Sequence, residues 1–307
     1  MQKNNSQTSK FATRYLVPLL DRFGKCFPDK LYISLYYYLK FKKRINWKSP
    51  TSFTEKLQWL KLYNRNPEYT IMADKVKAKE WIAKRIGEQY IIPTIGVWEH
   101  TEDIDFNALP NSFVLKCNHN SGTGMYICKD KSQMNKKEVI KNLEKGLKEN
   151  YYLHCREWPY KNIPRRILAE KFMIDSTEPN TNKGLTDYNF FCFNGEPFMM
   201  YISNDNAEFS HTDFFDMDYN QLPIRMKDPN SNNPPSKPKE FEQMKMLARK
   251  LSEGIPHLRV DFYVINNNIF VGELTFYHNA GFTPISPTEW DLKLGQLINL
   301  RKYCSKS

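Results

Sequence analysis

The segment from residue 257 to 281 most constrains the fold of this chain, because its residue pattern predicts a β-hairpin. From residue 258 to 264, apolar residues (Leu258, Val260, Phe262, Val264) alternate with Arg259, Asp261 and Tyr263, which is typical of a half-buried strand. Asn266–Asn268 follows and predicts a turn, because Asn tolerates left-handed backbone angles. Ile269–Thr275 then returns as a second strand.

The polar residues of this hairpin bring two carboxylates to one patch. Asp261 and Glu273 are equidistant from Asn267, so pairing about that residue sets them opposite each other, with Arg259 and Thr275 on the same face. Opposed like charges destabilise a sheet unless something neutralises them, and Mg²⁺ prefers hard oxygen ligands. A nearby arginine indicates phosphate. Taken alone, the hairpin fits a surface Arg–Asp pair equally well.

Length and composition bound the class of protein. The chain has 307 residues, of which 40% are hydrophobic and 26% charged, which indicates a globular protein of one large or two medium domains. Its six cysteines are scattered and form no CxxC pair, which suits a reducing compartment. We find no cleavable signal and no apolar run long enough to span a bilayer. The sequence therefore predicts a cytoplasmic protein.

The positive charge is concentrated at the N-terminus. Residues 1–50 carry eleven Lys or Arg and two Asp, so most of the net charge of +11 lies there. One interpretation is that residues 1–48 contact an anionic membrane at its inner face. The commoner alternative is a helix packed on the protein with solvated charges. Nucleic acid is disfavoured, because no nucleic-acid motif and no further basic bias are present.

Several segments suggest contacts with an anion. Asp74–Ile86 predicts an amphipathic helix with Asp74 as N-cap and Lys75 in its first turn, where a lysine opposes the helix dipole unless an anion is near. Phe113–Asn118 predicts a strand containing Lys116, and Asn120–Gly124 then gives a Gly-rich turn whose N–H groups can hold phosphate. A solvent-facing lysine and an ordinary hairpin turn remain the alternatives.

The remaining segments complete an α+β pattern of two lobes. A strand is predicted at Arg166–Met173, whose end could contact an adenine edge or simply be exposed. A second hairpin is predicted around Asn194–Gly195. Helices are predicted at residues 52–62, 136–150, 241–255 and 287–300.

The order of these motifs resembles the ATP-grasp superfamily. More closely, LKCNHNSGTG, LAEKFM, DYNFFCFNGEP and VDFY…GELTFYHNAG resemble the TupA-like ATP-grasp family, associated with bacterial teichuronopeptide and surface-polysaccharide (capsule) biosynthesis. Each motif is weak alone, whereas their joint order and spacing, from about residue 26 to 300, is specific. The resemblance implies a basic helical region (1–95), a nucleotide-covering lobe (96–173) and a C-terminal lobe (174–307) that together clasp ATP.

The resemblance also implies roles for individual residues. Phosphates are held by Lys75 and Lys116 and covered by Ser121, Gly122, Thr123 and Gly124; adenine lies along Glu170, Lys171, Phe172 and Met173. Mg²⁺ is held by Asp261 and Glu273 with Thr275 or Asn279, and Arg259 stabilises the phosphoryl group in flight. The chain departs from the common pattern in two places. Thr275 replaces an asparagine, and Asn189 replaces a lysine.

The reaction that the resemblance implies is ATP-dependent ligation of a carboxylate and an amine through an acyl phosphate. The carboxylate would be a uronic acid of a bacterial surface polysaccharide, and the amine an amino acid or a simpler amine; the reverse assignment also stays open. Two alternatives stay open at this stage. One is a sugar or polysaccharide kinase on the same site, and the other is a non-catalytic, membrane-associated scaffold.

Overall fold

The computed structural model describes residue 20 and residues 24–177, 184–205 and 210–303. Within these ranges it contains seven α-helices and ten β-strands, which confirms the α+β class. The helices are α1 (Asp29–Phe41), α2 (Phe53–Tyr63), α3 (Glu68–Ala73), α4 (Lys77–Ile86), α5 (Lys136–Lys148), α6 (Phe241–Ser252) and α7 (Glu289–Gln296). The strands are β1 (Thr94–Trp98), β2 (Phe113–Cys117), β3 (Tyr126–Cys128), β4 (Ile167–Lys171), β5 (Asp187–Phe193), β6 (Glu196–Asp205), β7 (Ser210–Asp216), β8 (Gln221–Leu222), β9 (His257–Ile265) and β10 (Asn268–Thr275).

The strands form two antiparallel sheets. The smaller sheet has the order β1-β4-β2-β3, and α5 packs against it over a separate apolar cluster that includes Phe113, Leu115 and Leu143. The larger sheet has the order β10-β9-β5-β6-β7-β8, and α6 covers the face that carries Val260 and Phe262. The opposite face of β9 is therefore left for the polar residues.

The predicted hairpin and its pairing are confirmed, but the turn is shorter than expected. Only Asn266 and Asn267 form the turn, both with positive φ, as in the two-residue hairpins of type I′. A regular ladder from that turn would pair Asp261 with Gly272. A β-bulge at Gly272 adds one residue, so that Glu273 pairs with Asp261 and Thr275 with Arg259. The bulge thus keeps both carboxylates on one face.

The helix predicted at residues 74–86 begins later, at Lys77. Asp74 instead ends the preceding helix α3, and its side chain accepts hydrogen bonds from the Val76 N–H and from Asn118 Nδ2. Its other oxygen binds Arg166 Nη2 at 2.7 Å, so the buried carboxylate ties this turn to the smaller sheet. Val76 holds the N-cap position, but Asp74 Oδ1 also accepts from the Lys77 N–H at 3.5 Å, so the predicted capping by Asp74 is present in part, and Lys75 lies in the turn before the helix.

The helices near the two ends of the chain pack on each other. Helix α2 begins with the predicted cap as a full capping box of Ser52 and Glu55. The N–H and hydroxyl of Thr54 donate to Asp291 of α7, and Lys56 Nζ donates to two carbonyls at the end of that helix. These contacts fix the N-terminal helices on the lobe that carries β9 and β10.

The basic N-terminal segment is described only in part. Residues 1–19 and 21–23 lie outside the described residues. The continuous described range begins at Gly24, shortly before α1. In the described part of the chain, no helix is both long and apolar enough to cross a membrane.

Candidate active site

A pocket lies where α3 and α4 meet the edge of the larger sheet and the strands of the smaller one. It is lined by Met72, Ala73, Lys75, Ala78, Lys79, Ile82, Ile91, Ile92, Lys116, Glu170, Val271, Gly272, Glu273 and Leu274. Apolar side chains form one part of the lining and ionisable side chains the other. A pocket that combines an apolar wall with a few convergent charges suits a ligand with a flat apolar part and an anionic part.

Three lysines and two glutamates form the charged part of the pocket. Glu170 is 6% exposed, and its two oxygens each lie 2.6 Å from a lysine, Lys79 Nζ on one side and Lys116 Nζ on the other. Lys75 Nζ lies 3.8 Å from Glu273 Oε1 and donates to the carbonyl oxygen of Asn120 at 2.6 Å. Burial lowers the pKa of Lys75, while the charge of Glu273 acts in the opposite direction.

Lys75 links the two parts of the site that sequence reasoning treated separately. Its hydrogen bond reaches the first residue of the Gly-rich turn, and its ion pair reaches β10. Lys79, which sequence reasoning missed, adds a third cation by pairing with Glu170 one helical turn further along. Because Lys75 lies in the turn before the helix, its i, i+4 spacing from Lys79 does not by itself place the two lysines on one helix face, and no other local signal pointed to Lys79.

Arg259 is held by four side-chain contacts on the polar face of β9. It donates to both oxygens of Asp261, at 2.7 and 2.5 Å, and to Thr275 Oγ1 at 3.0 Å. Its remaining nitrogen lies 2.7 Å from His278 Nδ1, which must accept, because a guanidinium only donates. Burial works against the charge of Arg259, but Asp261 outweighs it and raises the pKa of the guanidinium.

The contact with Arg259 determines the protonation of His278 and, through it, the orientation of the Asn279 amide. Burial and the charge of Arg259 lower the pKa of His278 well below its usual range, so its ring is neutral with the proton on Nε2. Asn279 Nδ2 lies 3.0 Å from that nitrogen, and since two N–H groups cannot bond each other, we assign the amide the other way round, with its oxygen accepting from Nε2. The suggested metal roles of Thr275 and Asn279 stay predictions; in the structure these side chains contact Arg259 and His278.

The residues present fit an anion and a divalent cation. Asp261 and Glu273 are paired across β9 and β10 and carry oxygen ligands on one face. Asn189 of β5 pairs with Asp261 on its other side, is 3% exposed, and its Nδ2 has no hydrogen-bond partner. A buried donor without a partner is costly, which points to an oxygen supplied by a ligand. Among the described residues, no group of three or more His, Cys, Asp or Glu forms a metal cluster.

The segment predicted to contact adenine ends strand β4. The Glu170 side chain is buried in the pocket, whereas Lys171 is exposed and its N–H donates to the Pro93 carbonyl. Phe172 and Met173 are half-buried and follow the strand. Their contact with a base stays a prediction.

The Gly-rich turn packs closely on helix α5. Ser121 and Gly122 are exposed, Thr123 is half-buried, and Gly124 is buried with φ of 73°. A Cβ on Gly124 would lie 2.7 Å from Cys117 Sγ and 3.0 Å from the Cα of Gly146 in α5. The two glycines therefore let the turn lie directly against the helix.

This contact predicts that Gly146→Ala displaces the Gly-rich turn. The added Cβ would lie 2.8 Å from the Gly124 Cα and 3.0 Å from the Thr123 carbonyl oxygen, so the turn must move outward. We expect the KM for ATP, the substrate that the sequence resemblance implies, to rise about tenfold, equivalent to about 1.4 kcal/mol, with a smaller change in kcat. Steady-state kinetics would test this, with Gly184→Ala, where a Cβ meets nothing within 4 Å, as control.

Glu157 is a further residue that sequence reasoning missed. It lies in the irregular segment between α5 and β4 and is 6% exposed, and its carboxylate has no hydrogen bond or ion pair with any described residue. Burial raises the pKa of its carboxyl to about 7, with Lys61 and Arg259 opposing this shift and Glu273 adding to it. An unpaired carboxylate near the Arg259 network is costly to the fold.

The raised pKa predicts that Glu157→Gln stabilises the protein at alkaline pH. The folded state holds the proton up to about pH 7, whereas an unfolded glutamate releases it near 4.5, so wild-type stability falls as pH rises between these values. We expect Glu157→Gln to gain up to about 3 kcal/mol above pH 7 and little below pH 4.5. Urea unfolding at both extremes would measure this. The exposed Glu253→Gln should show no such difference.

Comparisons with known proteins found similar solved structures and a curated protein that is similar over part of its length. A D-alanine–D-alanine ligase from Helicobacter pylori is 17% identical with a TM-score of 0.47, over 81% of this chain and 70% of that one. One from Bacillus anthracis is 15% identical with a TM-score of 0.44, over 76% and 69%. A lipoteichoic acid synthase from Staphylococcus saprophyticus is 35% identical over 101 residues, which is 32% of this chain and 14% of that protein.

The family comparison covers most of the chain. The TupA-like ATPgrasp family matches residues 55–299, a range that begins in helix α2 and includes both sheets, the pocket and the Arg259 network. The protein belongs to the TupA-like ATP-grasp family.

Proposed function

We propose that this protein is an ATP-dependent carboxylate–amine ligase. The observation that carries the proposal is the meeting of Asp261 and Glu273 on one sheet face, with Arg259 bound to the first and Lys75 3.8 Å from the second. Opposed carboxylates flanked by cations suit a triphosphate with its divalent metal. Membership of an ATP-grasp family supports the same chemistry.

The reaction proceeds in two steps. A carboxylate oxygen of the first substrate attacks the γ-phosphorus of ATP, ADP departs, and an acyl phosphate forms. The amine then attacks the acyl carbon, so that a C–N bond forms and phosphate leaves. Phosphoryl transfer depends mostly on positioning the reactants and on neutralising the phosphate oxygens. Cationic side chains and metal ions can do this without forming a covalent intermediate.

The residues divide this work between them. Lys75 and Lys116 bind phosphate oxygens, under the turn Ser121–Gly124, and the strand end Glu170–Met173 lies along the adenine. Arg259 neutralises the phosphoryl group as it moves. Asp261 and Glu273 would hold Mg²⁺, which supplies further neutralisation of the phosphate oxygens when bound.

The family resemblance limits the classes of carboxylate and amine that we propose as substrates. Its association with teichuronopeptide and surface polysaccharide supports a uronic acid as the carboxylate and an amino acid or a simpler amine as the partner. The partial similarity to a protein named lipoteichoic acid synthase agrees with a surface polymer, although it covers only 14% of that protein.

The test measures ADP release with Mg-ATP for a panel of uronic acids and amines, with mass spectrometry of the products. A ligase releases ADP only when a carboxylate and an amine are both present. A stable phosphorylated sugar would show a kinase, and failure to bind Mg-ATP in calorimetry would leave a scaffold.

Lys116→Met should raise the KM for ATP, whereas Lys129→Met, at an exposed position, should not.

Peripheral contact with an anionic membrane is a second, smaller proposal. Leu31, Leu35 and Tyr38 are 40–49% exposed on α1, and Lys42 and Lys43 follow directly after that helix. An exposed apolar face beside a basic cluster suits an anionic lipid surface. Co-sedimentation with phosphatidylserine vesicles should fall for Leu35→Ser combined with Lys43→Glu, and unchanged co-sedimentation would reject the contact.

A further inference from the structure

Two consecutive residues in the segment from residue 150 to 160 have strained backbone conformations. Cys155 and Arg156 both have left-handed backbone angles, with φ of 62° and 58°, which non-glycine residues rarely adopt. Such strain persists where the surroundings enforce it and is concentrated at functional sites. Its effect here is to turn the chain so that Glu157 enters the interior.

Several contacts enforce this conformation. Arg156 donates to the carbonyl oxygens of Leu153 and Gly24, and the fully buried Lys61 donates to the carbonyl oxygens of Cys155 and Ala280. The charge of Lys61 acts on Glu157, but the ammonium group of Lys61 donates its hydrogen bonds to backbone carbonyl oxygens and not to that carboxylate. The carboxylate is therefore fixed in position and left without a counter-ion from the described residues.

Aromatic residues flank Glu157 along the chain, at Tyr151, Trp158 and Tyr160. The rings of Tyr151 and Tyr160 meet edge to face with centroids 4.8 Å apart, and Trp158 and Tyr160 pack half-buried against the main core. A carboxylate among aromatic faces is the usual composition of a site for an ammonium group, because the rings attract cations and the carboxylate pairs with them.

The same segment adjoins the phosphate site. The turn Trp158–Tyr160 packs on helix α3, which also packs on β10, the strand that carries Glu273. The charges of Glu273 and Arg259 both act on Glu157 and on Tyr160. A molecule bound at Glu157 would therefore lie beside the place where the acyl phosphate forms.

We propose that Glu157, with Tyr151 and Tyr160, binds the second substrate as a protonated primary amine, a proposal that rests on the ligase reaction above. Glu157 pairs with the ammonium and accepts one of its protons, which frees the nitrogen lone pair. The nitrogen bonds to the acyl carbon as the bond from that carbon to the phosphate oxygen breaks. The second nitrogen proton leaves with the departing phosphate, so the products are a neutral amide and phosphate.

The test compares two small nucleophiles that differ in charge at neutral pH. Methyl glucuronide is the carboxylate probe with Mg-ATP, and the nucleophile is either methylamine, which is protonated, or hydroxylamine, which is neutral. We expect Glu157→Gln to lower the ratio of N-methylamide to hydroxamate at least tenfold and to raise the KM for methylamine. Glu253→Gln is the matched control. Equal loss of both products, or an unchanged ratio, would overturn the proposal.

A binding measurement separates this proposal from the ligase reaction. If the wild-type protein makes neither product, the proposed function fails for this carboxylate, and saturation-transfer NMR then decides the amine site. With Mg-ADP present, the wild type should show transfer to methylammonium and not to methanol, and Glu157→Gln should lose most of that transfer. Equal transfer in the two proteins, or none in the wild type, would refute an ammonium site at Glu157.

Discussion

Arg259→Lys should lower kcat about 10³-fold while leaving the protein folded. An arginine that neutralises a moving phosphoryl group contributes about 10³ to 10⁵ in kcat. Lysine keeps the charge but replaces a planar fork by a point charge, so it cannot bind both oxygens of Asp261 and also reach Thr275 and His278. The side chain is 12% exposed, so water cannot replace these bonds freely.

The measurement is ADP release with the carboxylate and amine that the wild type turns over. We expect the KM for ATP to change much less than kcat, because the interaction is made mainly in the transition state. Arg249→Lys is the control, since that arginine is 49% exposed and pairs with the exposed Glu196. A variant that kept kcat within a few-fold of wild type would show that Arg259 only supports the sheet.

The polar face of the hairpin was predictable from the sequence because successive side chains of a strand point to opposite faces of the sheet. Leu258 and Val260 had to face the core, so Arg259 and Asp261 had to share the other face. The pairing of Asp261 with Glu273 was also right, although two deviations cancelled to give it. The turn has two residues rather than three, and the bulge at Gly272 compensates. A Cβ at Gly272 would lie 2.7 Å from the Tyr263 ring, so a glycine is needed there.

The rest of the site depends on contacts that no local pattern encodes. Glu170 binds Lys79 and Lys116, which lie far from it in sequence and come from a different helix and strand. Glu157 lies in a segment without periodicity, so its burial could not be inferred. Asp74 precedes an apolar helical pattern, which favoured an N-cap, but no local pattern predicts that its second oxygen binds Arg166. Long-range ion pairs determine the positions of Glu170 and Asp74, whereas no local pattern around Glu157 indicates its burial.

Glu170→Gln should destabilise the protein by about 3 kcal/mol at neutral pH. The wild-type carboxylate lies 2.6 Å from both Lys79 and Lys116, whose side chains are only 16% and 20% exposed. A glutamine cannot neutralise either cation, and breaking a buried ion pair by removing one partner costs about 3–5 kcal/mol. Glu196→Gln is the control, because both partners of that pair are exposed and the expected loss is under about 1 kcal/mol.

The pH dependence of this loss has a definite sign. Burial alone would raise the pKa of Glu170, but Lys116 and Lys79 outweigh it and lower that pKa. The charge of Glu170 therefore contributes stability above the ordinary glutamate pKa of about 4.5, and this contribution disappears as pH falls through the lower folded value. Urea unfolding should show the full difference between Glu170→Gln and wild type at pH 7 and a much smaller one in acid. Mg-ATP should narrow it at pH 7, because triphosphate oxygens can neutralise the same lysines, and a difference that ATP leaves unchanged would place the triphosphate away from Glu170.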